Sequence, residues 1–211
     1  MTPAQRRAKR AMDLALLLLV APVAVLLVAV TAIVVAATIG RPVLFVQHRP
    51  GRHGVGFPLV KFRTMRPVDP AGALVADEQR LTPAGRRLRA SSLDELPSLW
   101  NIARGQMSFV GPRPLLMSYL DRYTARQARR HEVLPGLTGL AQVQGRNAVP
   151  WDERLEWDVR YVEGRSLRGD LWILAATIGV LLSRRGVTAP GAATMPEFVG
   201  AGDRSGAQTA R

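Results

Sequence analysis

Leu14-Ala-Leu-Leu-Leu-Leu-Val-Ala-Pro22-Val-Ala-Val-Leu-Leu-Val-Ala-Val-Thr-Ala-Ile-Val-Val-Ala-Ala-Thr-Ile-Gly40 carries no charged residue. At about 27 residues the run exceeds the roughly 20 that a helix needs to cross a bilayer. It is also longer than the ~7–15-residue apolar core of a secretory signal. Pro22 sits about a third of the way in, where it removes a helix hydrogen bond and crowds the preceding turn, so a kink is expected there. Both flanks are basic: Arg6, Arg7, Lys9 and Arg10 precede the run, and Arg41, Arg49, Arg52, Lys61 and Arg63 follow it. The positive-inside bias therefore draws both ends to the cytoplasmic side. An ordinary spanning helix and a helix that dips into one leaflet, bends near Ala21-Pro22 and returns both remain open on these residues.

Beyond the apolar run, Pro42–His48 and Phe57–Thr64 read as strands joined through the turn-rich Arg49–Gly56, which makes a hairpin. Alternation along the second strand puts Lys61 and Arg63 on one face. Arg66–Gln79 reads as a loop, and Thr82-Pro83 opens a basic helix to about Ala90. Leu115–Arg130 has the spacing of an amphipathic helix with a basic face, suited to a membrane surface or to core packing with a solvated side. Pro135–Gly139 reads as a turn, Leu140–Gln144 as a strand, and Trp151–Val162 and Asp170–Leu182 as helices. The fold class expected is α/β, mostly helical with a small β-hairpin or sheet. The domain organisation expected is a membrane helix over 1–40, a cytoplasmic catalytic domain over 41–200, and a mobile tail over 201–211.

The net charge is +13 with no cysteine, which excludes disulfides, thiolate zinc sites and a cysteine nucleophile. It predicts anionic partners: lipid surface, nucleic acid or phosphorylated small molecules. The three histidines, His48, His53 and His131, are scattered and form no metal cluster. Against this basic background stands Ser91-Ser-Leu-Asp94-Glu95-Leu-Pro97. Ser92 with Glu95 three positions on matches a capping box, which would make the acids ordinary helix-start residues. Pro97 fits that reading only within the first turn.

The other reading is chemical, since a carboxylate can attack phosphorus and carry a covalent intermediate. A carboxylate ~4 Å from an anionic phosphate faces about 4 kcal/mol of repulsion per charge pair at an effective dielectric of 20, roughly three orders of magnitude in rate. Lys61, Arg63, Arg89 and Arg113 are the cations at hand to offset it, together with a magnesium ion held by Asp94, Glu95 and substrate phosphates. Neighbouring residues on a helix diverge by roughly 100°, so the two acids take different roles.

These residues resemble the bacterial sugar transferases called monotopic phosphoglycosyl transferases, the small single-domain type related to the diacetylbacillosamine 1-phosphate transferases. The likeness runs through Lys9-Arg-Ala-Met-Asp13, Pro22, Gly40–Gly51, Lys61-Phe-Arg-Thr-Met65, Ser92–Pro97, Gly105–Pro114, Pro135–Asn147, Asp158–Val162 and Ser166–Leu171. It implies a re-entrant helix kinked at Pro22, with both ends cytoplasmic, at the inner membrane. It also implies a two-step, magnesium-dependent reaction. Asp94 attacks the β-phosphate of a UDP-sugar, with an N-acetylated sugar expected, and expels UMP; undecaprenyl phosphate then collects the phospho-sugar. Glu95 handles metal or proton, and Lys61, Arg89 and Arg113 serve the phosphates. Membrane lipid is a further partner, downstream glycosyltransferases of exopolysaccharide or glycoconjugate assembly follow, and no nucleic acid is involved. The chain departs from the pattern at Ala21, where serine is usual, and at Gln106, where an acid is common. The rival is a membrane-tethered basic module binding nucleic acid or anionic lipid, which leaves Asp94-Glu95 without a role.

Overall fold

The computed structural model describes residues 2–67, 77–144, 149–183 and 197–200. The apolar run belongs to a longer helix, α1 (Pro3–Thr38), opened by a capping box between Thr2 and Gln5 and passing through Pro22. The basic stretch Arg6–Arg10 is thus inside the helix. Asp13, Ala24, Thr31 and Val35 are buried, with Leu16, Leu17, Val28, Ala32 and Ile39 partly covered by the core. Steps of three and four put these residues on one face. From Leu14 to Ala37 the rest of the surface is apolar and bare, Leu18, Leu19, Val25, Leu26 and Ile33 among them. α1 is long and apolar enough to cross a membrane, and water would not tolerate that bare surface, so the protein associates with a membrane.

Both ends of α1 are fastened to the same body. Arg10 donates to the carbonyls of Ile102 and Ala103 at 2.6 and 2.7 Å. Asp13 accepts from Ser108 Oγ and Phe109 N at 3.0 and 3.1 Å. Lys9 pairs with Asp170 at 2.9 Å. At the far end, Val28, Ala32, Val35 and Ile39 pack with Phe62, Leu88, Leu93 and Leu96.

The hairpin forms as expected, β1 (Leu44–Pro50) antiparallel to β2 (Gly56–Phe62), with Phe45 opposite Lys61. A short α2 (Asp77–Arg80) precedes α3 (Pro83–Ser91), whose N-cap Thr82 accepts from Gly85 N at 2.9 Å. Then come a 3₁₀ turn (Leu93–Ser98), α4 (Leu99–Ala103) and β3 (Ser108–Val110).

Three expectations are overturned in the next stretch. Leu115–Arg130 is not one helix but two 3₁₀ turns, Met117–Arg122 and Arg129–Glu132, around α5 (Ala125–Ala128). Thr124 breaks the run by capping α5. The residues that imitate helical spacing face different partners. Leu115 and Tyr119 enter a core with Leu155 and Phe198, while Arg126 and Arg129 pair with Glu156 and Glu163. Next, Gly136–Thr138 is a strand, β4, parallel to β3, and Leu140–Gln144 is helix α6, the reverse of the expected turn and strand. The strand exists because backbones meet there without side chains: a Cβ on Gly136 would lie 2.1 Å from Gly111 N.

α7 (Trp151–Gly164) and α8 (Leu167–Ser183) complete the fold. Their faces supply Tyr161, Val162 and Ile173 to a core shared with Phe57, Leu59, Ile102 and Phe109. The fold class is therefore mostly helical with a small hairpin and one long apolar helix. The expected tail 201–211, most of the loop 66–79 and the end of the 135–147 stretch lie outside the described residues.

Candidate active site

β2 has β1 on one side, and side chains complete its other edge. Asn101 Oδ1 accepts from Val60 N at 3.1 Å, and Asn101 Nδ2 donates to Pro58 O at 2.8 Å. Ser98 Oγ donates to Val60 O at 2.8 Å. An unpaired strand edge is otherwise a liability. Here it becomes the seat that lays residues 93–103 alongside Lys61.

The capping box expected at Ser92 does not form. Ser92 ends α3 in the left-handed region (φ 58°) and makes no side-chain cap bond. That single residue turns the chain out of α3 and into a 3₁₀ turn, where successive side chains diverge by about 120°. Asp94 and Glu95 therefore meet different surroundings.

Glu95 is clamped. Lys61 Nζ lies 2.7 Å from its Oε1, Arg113 Nη2 donates to the same oxygen, and Arg113 Nη1 reaches Oε2 at 3.4 Å. Burial pushes this carboxyl up, but the charges and hydrogen bonds of Arg113 and Lys61 outweigh it and hold Glu95 well below the ordinary carboxylate range. Asp94 is its opposite. It is 9% exposed and accepts no hydrogen bond among the described residues. Burial first, and the charge of Glu95 second, raise its pKa to about 6, against the pull of Lys61, Arg113 and Arg89.

Arg89 comes to the site from α3, its Nε donating to Thr64 Oγ1 at 3.1 Å. The close approach of α3 depends on Gly85, where a Cβ would sit 1.9 Å from Thr64 O. Arg113 comes from the turn Gly111-Pro-Arg-Pro114 that leaves β3. Arg63 is not brought to the pair; it donates to Arg41 O at 3.2 Å. Pro22 lies within α1, far along the chain from these groups.

Several residues around the site were given no role by sequence: Asn101, Ser98 and Thr64, and behind Arg113 the pair Arg130 and Asp158. Only the last left a trace. Asp158 shares the apolar face of α7 with Leu155, Val159 and Val162, all buried, and an acid there signals a buried partner. The chemistry available is a desolvated carboxylate with no hydrogen bond among the described residues, beside three cations, suited to attack on an anionic electrophile.

A magnesium ion, implied by the resemblance, fits this donor set. Among the described residues no three His, Cys, Asp or Glu side chains converge as a metal cage. Magnesium, however, usually takes only one or two carboxylates plus substrate phosphates. Asp94 offers free oxygens, and Glu95 keeps Oε2 only loosely held.

The sequence profile of the bacterial sugar transferases matches residues 4–184, which includes every side chain of the site. The uncharacterized sugar transferase EpsL of Bacillus subtilis is 51% identical over 83% of this chain and 87% of its own length. The UDP-glucose:undecaprenyl-phosphate glucose-1-phosphate transferase of Caulobacter vibrioides is 43% identical over 67% of this chain, which spans 57% of that relative. The UDP-galactose-lipid carrier transferase of Erwinia amylovora is 41% identical over 70% of this chain, which spans 34% of it. An acidic pair with unequal partners, a cationic surround, a bare apolar helix and a match over most of the chain agree: the protein belongs to the bacterial sugar transferase family.

Proposed function

We propose that this protein transfers a sugar 1-phosphate from a UDP-sugar to undecaprenyl phosphate, through a covalent phospho-sugar on Asp94. The inequality of the acidic pair carries this reading: Glu95 is immobilised by two cations, whereas Asp94 is buried beside it with no hydrogen bond or ion pair among the described residues. In the first step an Asp94 oxygen attacks the β-phosphorus. The bond from that phosphorus to the bridging oxygen breaks, and UMP leaves with the electron pair. In the second step an oxygen of undecaprenyl phosphate attacks the same phosphorus. The Asp94–phosphorus bond breaks, returning the carboxylate and releasing undecaprenyl diphosphate sugar. Neither step needs a net proton.

A pKa of about 6 leaves Asp94 mostly ionised at neutral pH and more basic than an ordinary aspartate. Lys61 and Arg113, steadied by Glu95, and Arg89 from α3 offset the charge of the arriving phosphates. When bound between Asp94, Glu95 and the diphosphate, magnesium would supply further charge neutralisation. The donor we assign is an N-acetylated UDP-sugar, with the UDP-glucose and UDP-galactose of the relatives' names as its competitors. Attachment of both ends of α1 to one body supports a re-entrant helix at the cytoplasmic face of the inner membrane, where it would open exopolysaccharide or glycoconjugate assembly ahead of glycosyltransferases. The rival basic module is disfavoured because Arg126, Arg129 and Arg130 are already paired with acids.

The test is UMP release by nanodisc-held protein from a panel of UDP-sugars with magnesium and undecaprenyl phosphate. Release from at least one donor, its loss with EDTA and in Asp94→Asn, and a mass adduct on Asp94 are expected. Undiminished release by Asp94→Ala refutes the mechanism.

A further inference from the structure

The turn that delivers Arg113 is held from behind by groups that neither reaction step uses. Gly111 N donates to Thr138 O, and Pro112 O accepts from Gly136 N, both at 2.9 Å, so β4 fixes the first half of the turn. Past that point the ladder ends. Pro112 has a locked φ, Arg113 is restricted to extended backbone as the residue before Pro114, and Pro114 has no N–H to give. The Arg113 carbonyl is taken instead by Arg130 Nη2 at 2.7 Å.

Arg130 is 2% exposed. Its Nε and Nη2 also donate to Asp158 Oδ2 at 3.0 and 2.7 Å, and its guanidinium lies 5.6 Å from the Tyr123 ring centre. A buried ion pair is a poor device for stability, since an apolar pair of the same volume avoids the desolvation of two charges. What an apolar pair cannot do is grip a particular carbonyl.

We propose that Arg130 and Asp158 are positioning residues for Arg113: Asp158 orients the Arg130 fork, the fork holds the Arg113 peptide, and the Arg113 side chain is thereby aimed at Glu95. The assignment rests on the reaction proposed above only for its readout. Arg130→Lys keeps the charge but replaces the planar fork with a single ammonium, which cannot reproduce the same three bonds. A small misplacement remote from the chemistry costs up to about 100-fold in rate, so Arg130→Lys should lower kcat for UMP release by about 10- to 100-fold while near-UV circular dichroism shows a folded protein.

A double-mutant cycle separates positioning from mere support. If Arg130 acts through Arg113, Arg113→Ala with Arg130→Lys will be no slower than Arg113→Ala alone. If the pair only supports the fold, the two losses will multiply, which overturns the proposal, as does full activity in Arg130→Lys. Should Arg130→Lys not fold, Asp158→Asn enters the same cycle with the same two outcomes. Wild-type protein that releases no UMP from any donor would instead refute the proposed reaction. The pair would then be judged by a structure of the Arg130→Lys protein: an undisturbed Arg113–Glu95 contact overturns it, and a displaced one supports it.

Discussion

Asp94→Asn should abolish UMP release and at the same time stabilise the protein. Asparagine has the shape of aspartate but no charge to desolvate. In the folded chain burial, with the charge of Glu95, moves Asp94 from the ordinary 3.8 to about 6. At about 1.36 kcal/mol per pKa unit, holding the ionised form in this site costs about 3 kcal/mol at neutral pH. The sign follows from proton linkage. A carboxyl with a raised folded pKa binds more protons folded than unfolded between pH 3.8 and about 6, so its contribution is fully present below that window and lost as pH rises through it. The gain from Asp94→Asn should therefore be greatest above pH 6 and shrink toward pH 4. About 3 kcal/mol is an upper figure, since the introduced asparagine would itself bury an unpaired amide. Scanning fluorimetry in nanodiscs at pH 7.5 and 4.5 should give a rise of several degrees at the higher pH and about a third of that at the lower. A variant that melts at or below wild type at pH 7.5, or gains equally at both pH values, refutes the claim that Asp94 is held charged at a cost. Such cost is the ordinary signature of a group kept for reaction rather than for folding.

Other outcomes follow from the same geometry. UMP release should fall about 10-fold between pH 7 and pH 5 as Asp94 protonates through about 6; a flat profile there contradicts the assignment of the nucleophile. Glu95→Gln should behave oppositely to Asp94→Asn. It strands Lys61 and Arg113 and should cost about 3 kcal/mol at pH 7.5, the low end for a broken buried pair because Arg113 is partly exposed; a melting point equal to wild type counts against the clamp. Gly85→Ala forces a Cβ to 1.9 Å from Thr64 O, so α3 must shift, with a loss of about 3 kcal/mol and of Arg89's place at the site, read by melting and by UMP release. Asn101→Ala leaves Val60 N and Pro58 O without their partners. It should cost about 2 kcal/mol, measured by urea titration.

The sequence yields most readily those features whose cause is local. The apolar run of α1 and the alternating, turn-bounded hairpin state their own periods, and Thr82-Pro83 states its own cap. Where the cause is a distant partner, local reading fails. Leu115–Arg130 has helical spacing, but Tyr119 packs with Leu155 and Phe198 while Arg129 reaches Glu163; one apparent stripe serves two unrelated surfaces. Gly136–Thr138 looks like a turn because its glycine is a turn residue, yet that glycine exists to let β4 touch Gly111. The capping box fails for a related reason. Glu95 is worth more to Lys61 and Arg113 than to the Ser92 backbone.

The same distinction governs the site. That Asp94 and Glu95 stand out is legible from an acidic pair in a basic chain, but which acid is clamped is decided by contacts spanning 34 positions to Lys61 and 18 to Arg113. Ser92 supplies the local part of the answer, because its left-handed backbone leads the chain into the 3₁₀ turn on which the two side chains diverge. Asn101 and Ser98 supply the distant part by seating that turn against β2. One carboxylate is thereby bound into the cationic frame, and its neighbour is left buried and unengaged. Unequal treatment of adjacent acids is thus a product of the fold, and the proposed reactivity of Asp94 rests on that inequality.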